Sequence, residues 1–214
     1  MTIKAILFDF DGTIADTAPG IVCTMQETFK AMNLPIPAPE AVCQTIGIPL
    51  HDSIQTLGNL TDAEANHGME VYRQLFHQFE IPNIGLFPNV VETLTRLKEK
   101  GIRMAICTSR NIESLDVIMD ARGLAPLFET RVTGSDRLAP KPAPDMVVAL
   151  LKRMDIKADE AIVVGDTTYD IEMGNSAGCK TVAVTYGNHS HEKLLTARPT
   201  WVIDNFTQLL DLFA

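Results

Sequence analysis

Apolar residues in this 214-residue chain form short continuous runs that alternate with helical patterns from residue 86 onward. Continuous apolar runs predict strands that are buried on both faces of a sheet. The predicted strands are 5–8, 103–107, 128–133, 161–164, 181–184 and 201–203. The predicted helices are 89–100, 113–122, 144–154, 171–177 and a segment around 206–213. Strands that alternate with helices predict right-handed crossovers and therefore a doubly wound, parallel α/β sheet.

Residues 17–85 interrupt this alternation with patterns that are entirely helical. Apolar side chains recur at helical spacing from Ile21 to Met32 and again from Leu50 to Leu57. Thr61 and Glu64 have the spacing of a capping box before a longer helical stripe that runs to Phe79. We therefore predict a core made of residues 1–16 and 86–214, with an all-helical insert at residues 17–85.

The composition is that of a globular protein with one good-sized domain or a domain carrying an insert. Hydrophobic residues make up 46% of the chain and charged residues 21%. No apolar run is long enough for a membrane helix, and Asp9 interrupts the first apolar run too early for a signal peptide. The four cysteines lack C-x-x-C spacing, which favours free thiols in a reducing compartment. We expect a cytoplasmic protein without a membrane partner.

The net charge of −9 argues against nucleic acid as a partner, because no basic stripe could neutralise a phosphate backbone. A small anionic substrate is compatible with this charge if a few cations are placed locally. No sequence feature indicates an oligomeric state.

The run Asp9-Phe10-Asp11-Gly12-Thr13 directly follows the predicted strand 5–8. Two carboxylates at the end of a buried strand repel each other and are costly to desolvate, so a surface turn with an Asp cap is one interpretation. The other interpretation is that the two carboxylates bind a cation and take part in a reaction. Asp9 could attack phosphorus as a nucleophile, and Asp11 could move a proton to the leaving group and from the attacking water. Gly12 would let the backbone approach a phosphate closely.

Further polar groups follow other predicted strands or precede predicted helices. They are Thr108, Ser109, Lys141, Asp166 and Asp170. Each has an ordinary explanation by itself, as a helix cap, a solvated lysine or an acid near a helix start. In a parallel sheet, however, the carboxyl ends of the strands meet at one edge. The joint pattern therefore predicts a single site there.

A phosphoryl-transfer site assigns each of these groups a role. Asp9 and Asp166, with the backbone carbonyl of Asp11, would present oxygen ligands to Mg²⁺, and Asp170 would orient the metal. The Thr108 hydroxyl and the backbone amides of Ser109 and Arg110 would hold phosphoryl oxygens. Lys141 would supply a fixed positive charge to the same group.

These residues resemble the four signature motifs of the haloacid dehalogenase superfamily in order and spacing. The motifs are Asp9-Phe10-Asp11-Gly12-Thr13, Thr108-Ser109, Lys141-Pro142 and Gly165-Asp166-Thr167-Thr168-Tyr169-Asp170. The resemblance implies a Rossmann-like core with an inserted helical cap. Within the superfamily, the sequence is most similar to phosphoglycolate-phosphatase-like enzymes and their pyrophosphatase relatives. It also implies that Asp9 is the nucleophile, Asp11 the general acid/base, Thr108 and Lys141 the phosphate holders, and Asp166 and Asp170 the acids beside the metal.

Departures from the family patterns narrow the expected chemistry. The dehalogenases lack the second aspartate, so Asp11 favours phosphate as the substrate class. Residues 31–97 contain no lysine, which excludes the Schiff-base reaction of the phosphonate-cleaving members. Leu50 stands where the β-phosphoglucomutases carry a cap arginine. The loop 45–50 is apolar and suits closure over the site, with Gly47 as a predicted substrate contact. The sequence does not decide whether Arg73 or His51 contacts the substrate.

We therefore expect an Mg²⁺-dependent phosphatase that hydrolyses a small phosphorylated metabolite, similar to phosphoglycolate, through an aspartyl-phosphate intermediate. An inorganic pyrophosphatase or a nucleotide monophosphatase is the alternative within the same class. A phospho-receiver protein without turnover is the alternative outside it, because receivers also surround a phosphorylated aspartate with acids, a hydroxyl and a lysine.

Overall fold

The structure, a computed structural model, describes residues 3–213 and contains a six-stranded, wholly parallel sheet. The strands in chain order are β1 (Ala5–Phe8), β2 (Ala15–Asp16), β3 (Gly85–Leu86), β4 (Arg103–Cys107), β5 (Thr130–Val132), β6 (Ala161–Gly165), β7 (Lys180–Val184) and β8 (Trp201–Ile203). The large sheet has the order β5-β4-β1-β6-β7-β8, with β1 near its centre. This arrangement confirms the predicted doubly wound α/β fold.

Nine α-helices surround or extend this sheet within the described residues. They are α1 (Ala18–Ala31), α2 (Pro39–Cys43), α3 (Leu50–Gly58), α4 (Asp62–Phe79), α5 (Val90–Glu99), α6 (Ile112–Ala121), α7 (Asp145–Met154), α8 (Thr168–Ser176) and α9 (His191–Thr196). None of the helices in this part of the chain is both long and apolar enough to cross a lipid bilayer. All four cysteines are free thiols, as the sequence predicts.

The central strands are apolar at every position because both faces of the sheet are covered. On β1, Ile6 and Phe8 belong to one hydrophobic cluster, and Ala5 and Leu7 belong to another. Successive side chains of a strand point to opposite faces, so a continuous apolar run buries both sides. The first cluster includes residues of α5 and α6, and the second includes residues of α7 and α8.

Helices α1, α3 and α4 and the short helix α2 pack on one another around a hydrophobic cluster of their own. This cluster contains Met25, Phe29, Val42, Ile54, Ala65 and Tyr72. Helix α4 begins with the predicted capping box, in which Thr61 and Glu64 exchange hydrogen bonds. The antiparallel pair of β2 and β3 joins the two chain segments that flank these helices. The division into a core and an insert at residues 17–85 stays a prediction, and the separate cluster supports it.

Several elements differ from the sequence-based expectations. Helix α8 begins at Thr168 rather than 171, because Thr167 and Asp170 form a capping box that starts the helix earlier. Residues Phe206–Phe213 form a 3₁₀-helix, whose three-residue period places Phe206 and Leu209 on the same buried face. The pattern did not predict β2, β3, α2 or α9, which are all six residues or shorter.

We expect Gly174→Ala to destabilise the protein although alanine favours helices. A Cβ at Gly174 would lie 2.6 Å from Thr181 Cγ2 and 2.9 Å from Val163 Cβ, where α8 contacts the sheet. Overpacking of this kind costs about 1–3 kcal/mol. Chemical denaturation should show this loss, whereas Ser176→Ala, at an exposed position of the same helix, should leave the free energy of unfolding almost unchanged. Equal stabilities for the two variants would contradict the close packing of α8.

Candidate active site

The carboxyl ends of three adjacent strands bring the predicted acids and hydroxyls to one edge of the sheet. Strand β1 pairs with β4 on one side and with β6 on the other. Asp9 follows β1, Thr108 follows β4 and Asp166 follows β6. All three side chains are buried. The topology therefore brings together residues that are separated by up to 157 positions along the chain.

The Lys141 side chain joins two of the acids in the interior of this site. Its ammonium Nζ lies 2.5 Å from Asp9 Oδ1 and 2.6 Å from Asp170 Oδ1, and the three side chains are almost completely inaccessible to solvent. A buried charge without a partner is strongly unfavourable. The ammonium and the two carboxylates therefore stabilise one another, and Lys141 is no solvated loop lysine.

Asp170 and Asp166 are also held by groups around them. The Asp170 Oδ2 atom accepts hydrogen bonds from the Thr167 backbone N–H at 3.0 Å and from its hydroxyl at 2.6 Å. The Thr13 hydroxyl donates to Asp166 Oδ1 at 3.1 Å. Asn188 donates to Asp166 Oδ2 from its backbone N–H at 2.7 Å and from its side-chain amide at 2.8 Å. Both carboxylates are therefore fixed in orientation.

Three of the four residues predicted to bind metal form a compact cluster of oxygen atoms. One carboxylate oxygen from each of Asp9, Asp166 and Asp170 lies within 4.8 Å of the others. Three carboxylates beside the single ammonium of Lys141 leave an excess of negative charge, and hard oxygen donors are the ligands that Mg²⁺ prefers. This donor set therefore fits a divalent cation. Asp11 lies outside the cluster, and its own metal role stays a prediction.

Burial and crowding of charge shift the proton affinities of these acids. Burial is the largest cause that raises the pKa of Asp9; the Lys141 ammonium lowers it, and the carboxylates of Asp170, Asp166 and Asp11 raise it further. Burial also raises the pKa of Asp166 to about 7, with an added rise from Asp170. A bound cation would offset the repulsion that produces these shifts.

Asp11 is paired with an arginine rather than with the other acids. Arg110 Nη2 donates to Asp11 Oδ1 at 2.5 Å, and Arg110 Nε lies 3.1 Å from both carboxylate oxygens. On its other side, Arg110 Nη1 lies 2.7 Å from Glu80 Oε1. The predicted role of Arg110 involved only its backbone amide, whereas its side chain makes these contacts. The Arg110 amide itself donates to Thr108 Oγ1 at 3.1 Å.

Ser109 and Gly47 are in direct contact. The Ser109 hydroxyl donates to the Gly47 backbone carbonyl at 2.7 Å. The predicted loop 45–50 therefore touches the segment that follows β4. The contribution of either residue to substrate binding stays a prediction.

Gly12 packs closely against one of the acids. A Cβ at Gly12 would lie 2.2 Å from Asp166 Oδ2, and the backbone there has a φ of +85°. Both the contact and the conformation require glycine. The neighbour that the structure shows is thus Asp166, and the predicted approach of Gly12 to a phosphate stays a prediction.

A cavity of about 750 Å³ lies over the site and contacts both the sheet edge and the helices α1, α3 and α4. The sheet side includes Asp9, Asp11, Thr108, Ser109 and Arg110. The opposite side includes the apolar side chains Ile21, Met25, Ile46, Ile48, Leu50, Met69 and Phe76. His51, Arg73 and His77 are also lining residues, so His51 and Arg73 can both reach a ligand in this cavity.

Glu80, Asn188 and His189 contact residues of the site but were not predicted from the sequence. Glu80 follows Tyr72 and Phe76 at intervals of four residues, so a charged residue in phase with an apolar stripe was a usable signal. Asn188 and His189 lie in the loop that follows β7 and contact Asp166 and Thr168. Only the position of this loop after a strand pointed to it, since these residue types are common in loops.

Comparisons with known proteins agree over nearly the whole chain. A family model described as Haloacid dehalogenase-like hydrolase matches residues 6–184. A Dickeya dadantii (strain 3937) protein named Probable phosphatase IndB is 33% identical over 210 residues, covering 96% of this chain and 91% of that protein. The Phosphoglycolate phosphatase of Escherichia coli (strain K12) is 28% identical over 230 residues, covering 97% and 91%.

Solved structures have the same fold as this chain. The crystal structure of a protein described as a predicted phosphoglycolate phosphatase, from Haemophilus somnus 129pt, superposes with a TM-score of 0.92 at 26% identity. The match covers 100% of this chain and 99% of that one. The architecture of sheet and helices is therefore shared in full.

We expect Mg²⁺ to stabilise the wild-type protein against unfolding and Asp166→Asn to abolish this gain. A ligand at 100 times its Kd adds about 2.7 kcal/mol to the free energy of unfolding. Thermal unfolding at pH 8, with a chelator or with Mg²⁺, measures the effect, and Asp116→Asn at a half-exposed ion pair is the control. Burial raises the pKa of Asp166 from its ordinary value of 3.8 to about 7 in the folded protein. The folded state therefore binds the proton more tightly than the unfolded state, and the metal-free wild type should lose stability as the pH rises from about 4 to 7.

The same experiment separates a metal ligand from a structural acid. Without metal at pH 8, Asp166→Asn should be more stable than the wild type, because it removes a buried charge. An Mg²⁺-dependent gain in Asp166→Asn as large as in the wild type would contradict the assignment.

We expect His189 to make the protein less stable in acid. The buried Nδ1 atom accepts the Thr168 backbone N–H at 3.0 Å, so this imidazole is neutral. Burial, with the Lys193 charge as a second cause, lowers the pKa of His189 to about 4. The folded pKa is below the unfolded value of about 6.5, so this stability is fully present above pH 6.5 and is lost towards pH 4, by about 3 kcal/mol at most.

The measurement is the difference in the free energy of unfolding between the wild type and His189→Gln across pH 4 to 7. This difference should change with pH, whereas His67→Gln, at an exposed position, should follow the wild type throughout. A constant difference for His189→Gln would disprove the linkage.

Proposed function

Since this chain belongs to the haloacid dehalogenase-like hydrolase family, in its phosphoglycolate-phosphatase-like subgroup, we propose that it is an Mg²⁺-dependent phosphatase of small phosphorylated metabolites. The observation that carries this proposal is the position of Asp9. It lies between the buried Lys141 and the cavity that also contains Asp11. A nucleophile and a proton-transfer group are therefore available to one ligand.

Asp9 is the proposed nucleophile. Its carboxylate attacks the phosphorus atom, the bond from phosphorus to the ester oxygen breaks, and an aspartyl phosphate forms. Lys141 holds Asp9 Oδ1 and keeps positive charge beside the phosphoryl group. Water then attacks the phosphorus, and inorganic phosphate leaves with Asp9 restored.

Asp11 is the proposed general acid and base. It donates a proton to the departing oxygen in the first step and accepts a proton from the attacking water in the second. Asp11 lines the same cavity as Asp9, which supports this role.

The remaining predicted residues bind substrate or metal in this proposal. The Thr108 hydroxyl, Ser109 and the backbone amide of Arg110 hold phosphoryl oxygens, with Gly12 and Gly47 beside them. Asp9, Asp166 and Asp170 hold Mg²⁺, with the backbone carbonyl of Asp11. The cation supplies charge neutralisation for the carboxylates and the phosphate when it is bound.

The size and lining of the cavity guide the substrate class. Pockets of about 300–1,000 Å³ bury drug-sized ligands, so a volume of about 750 Å³ also accommodates molecules larger than phosphoglycolate. The apolar side chains that line the helical side of the cavity favour a leaving group with apolar or aromatic surface. A nucleotide monophosphate is therefore the second candidate substrate. A screen of phosphorylated metabolites that includes phosphoglycolate and inorganic pyrophosphate would rank them.

We expect Asp9→Asn to abolish phosphatase activity while the protein stays folded. The wild type with Mg²⁺ should release phosphate from p-nitrophenyl phosphate, and Asp9→Asn should lose at least about three orders of magnitude, since an amide cannot replace the carboxylate nucleophile. Asp116→Asn serves as the matched control at a half-exposed ion pair away from the cavity lining. Activity that survives Asp9→Asn would refute the nucleophile.

The lifetime of the phosphorylated aspartate separates a phosphatase from a receiver. With a phosphoryl donor, the phosphatase should release inorganic phosphate at each turnover, because Asp11 activates water against the intermediate. A phosphoaspartate that persists for minutes without phosphate release would favour the receiver.

A further inference from the structure

The Arg110 guanidinium lies between an acid of the sheet edge and an acid at the end of α4. It contacts Asp11 through Nε and Nη2 and Glu80 through Nη1, at distances of 2.5 to 3.1 Å. The side chains of Arg110, Asp11 and Glu80 are only 7%, 12% and 1% exposed. Ion pairs with so little exposure are screened weakly, so they fix geometry more firmly than surface pairs do.

Glu80 is itself anchored to the helices that cover the cavity. The buried Tyr72 hydroxyl, two turns earlier in α4, donates to Glu80 Oε2 at 2.5 Å. The Glu80 backbone N–H donates to the Phe76 carbonyl, so the residue continues the helical hydrogen bonding of α4. Glu80 Oε2 thus accepts a hydrogen bond from α4, whereas Oε1 contacts Arg110 as an ion pair without an aligned hydrogen bond.

Arg110 has little capacity left for a substrate anion. A guanidinium recognises a carboxylate or a phosphate through two parallel N–H groups on one edge. Asp11 occupies the edge formed by Nε and Nη2, and Glu80 occupies Nη1. A third anion that uses two parallel N–H groups of Arg110 would compete with one of these two buried carboxylates. The contacts of Arg110 are therefore directed at Asp11 rather than at a ligand.

We propose that Arg110 and Glu80 are positioning residues that set the orientation of the Asp11 side chain, whose protonated, carboxylic acid form gives its proton to the leaving group. This inference rests on the proposed phosphatase function. Proton transfer requires a heavy-atom distance of about 2.6–3.2 Å, and a displacement near 1 Å costs up to about 100-fold in rate. Glu80 acts through Arg110 and does not touch the reacting atoms.

The position of the general acid matters most for leaving groups that depart reluctantly. In the first step, the ester oxygen takes the proton of Asp11 while its bond to phosphorus breaks. A p-nitrophenolate departs without this help, whereas a phenolate, the anion of a weaker acid, needs it more. A displaced Asp11 should therefore slow phenyl phosphate more than p-nitrophenyl phosphate, although the two esters have nearly the same shape and charge.

The test compares kcat/KM for these two esters in the wild type and in Glu80→Gln with saturating Mg²⁺. The ratio kcat/KM covers only the steps through leaving-group departure, so water activation by Asp11 does not contribute. Glu80→Gln keeps the side-chain shape and removes the charge that holds Arg110. We expect its loss on phenyl phosphate to exceed its loss on p-nitrophenyl phosphate by about five- to tenfold, with KM changed less than kcat.

Three further variants isolate the effect. Tyr72→Phe should also lower kcat/KM on phenyl phosphate more than on p-nitrophenyl phosphate, but by a smaller factor than Glu80→Gln. This variant tests the inference if Glu80→Gln folds poorly. In the Asp11→Asn background, Glu80→Gln should not change the preference further, because the acid is already absent. Glu129→Gln removes the carboxylate that pairs with Arg103 at 2.5 Å, at the opposite end of β4, and should leave the preference unchanged.

The outcomes distinguish this inference from the proposed function. Equal losses on both esters would assign Glu80 a structural role and overturn the inference while the phosphatase assignment stands. A rise in KM with unchanged preference would make Arg110 a substrate contact and would also overturn it. Wild-type protein that hydrolyses neither ester would overturn the proposed function and this inference together.

Discussion

The ammonium of Lys141 between the carboxylates of Asp9 and Asp170 is the interaction on which the site depends. Without this cation, the crowded acids at the sheet edge would repel one another in a region almost without solvent. Lys141 comes from the loop before α7, Asp9 follows β1 and Asp170 lies in the first turn of α8. Their contact therefore holds three separate parts of the chain at one place.

The charge balance explains why a divalent cation suits this site. Lys141 neutralises one of the three clustered carboxylates, and hydrogen bonds from Thr13, Thr167 and Asn188 stabilise the others only in part. The raised pKa of Asp9 and the pKa of about 7 for Asp166 have this common origin in burial and repulsion. A site that is strained by negative charge when empty binds a cation more favourably than a neutral site does.

The loop after β4 connects the acids at the sheet edge to the helices on the other side of the cavity. Its consecutive residues Ser109 and Arg110 contact Gly47 and Glu80, which belong to two different parts of the helical segment. Thr108 remains at the sheet edge in the same loop. The position of Asp11 relative to the helices is therefore set by the ion pairs and hydrogen bonds of a few residues. The other side chains that line the helical side of the cavity are largely apolar.

Periodicity and motif order were enough to predict the α/β fold, the helices before residue 86 and the convergence of the strand-end acids, because these depend on local patterns and on the common direction of parallel strands. The motif residues Asp9, Asp166 and Asp170 indeed lie within 4.8 Å of one another. Only the tertiary structure decided that Arg110 pairs with Asp11 and Glu80 and that Asn188 contacts Asp166. The physical reason is that such pairings depend on side-chain direction and on contacts between residues far apart in the chain, which no local pattern encodes.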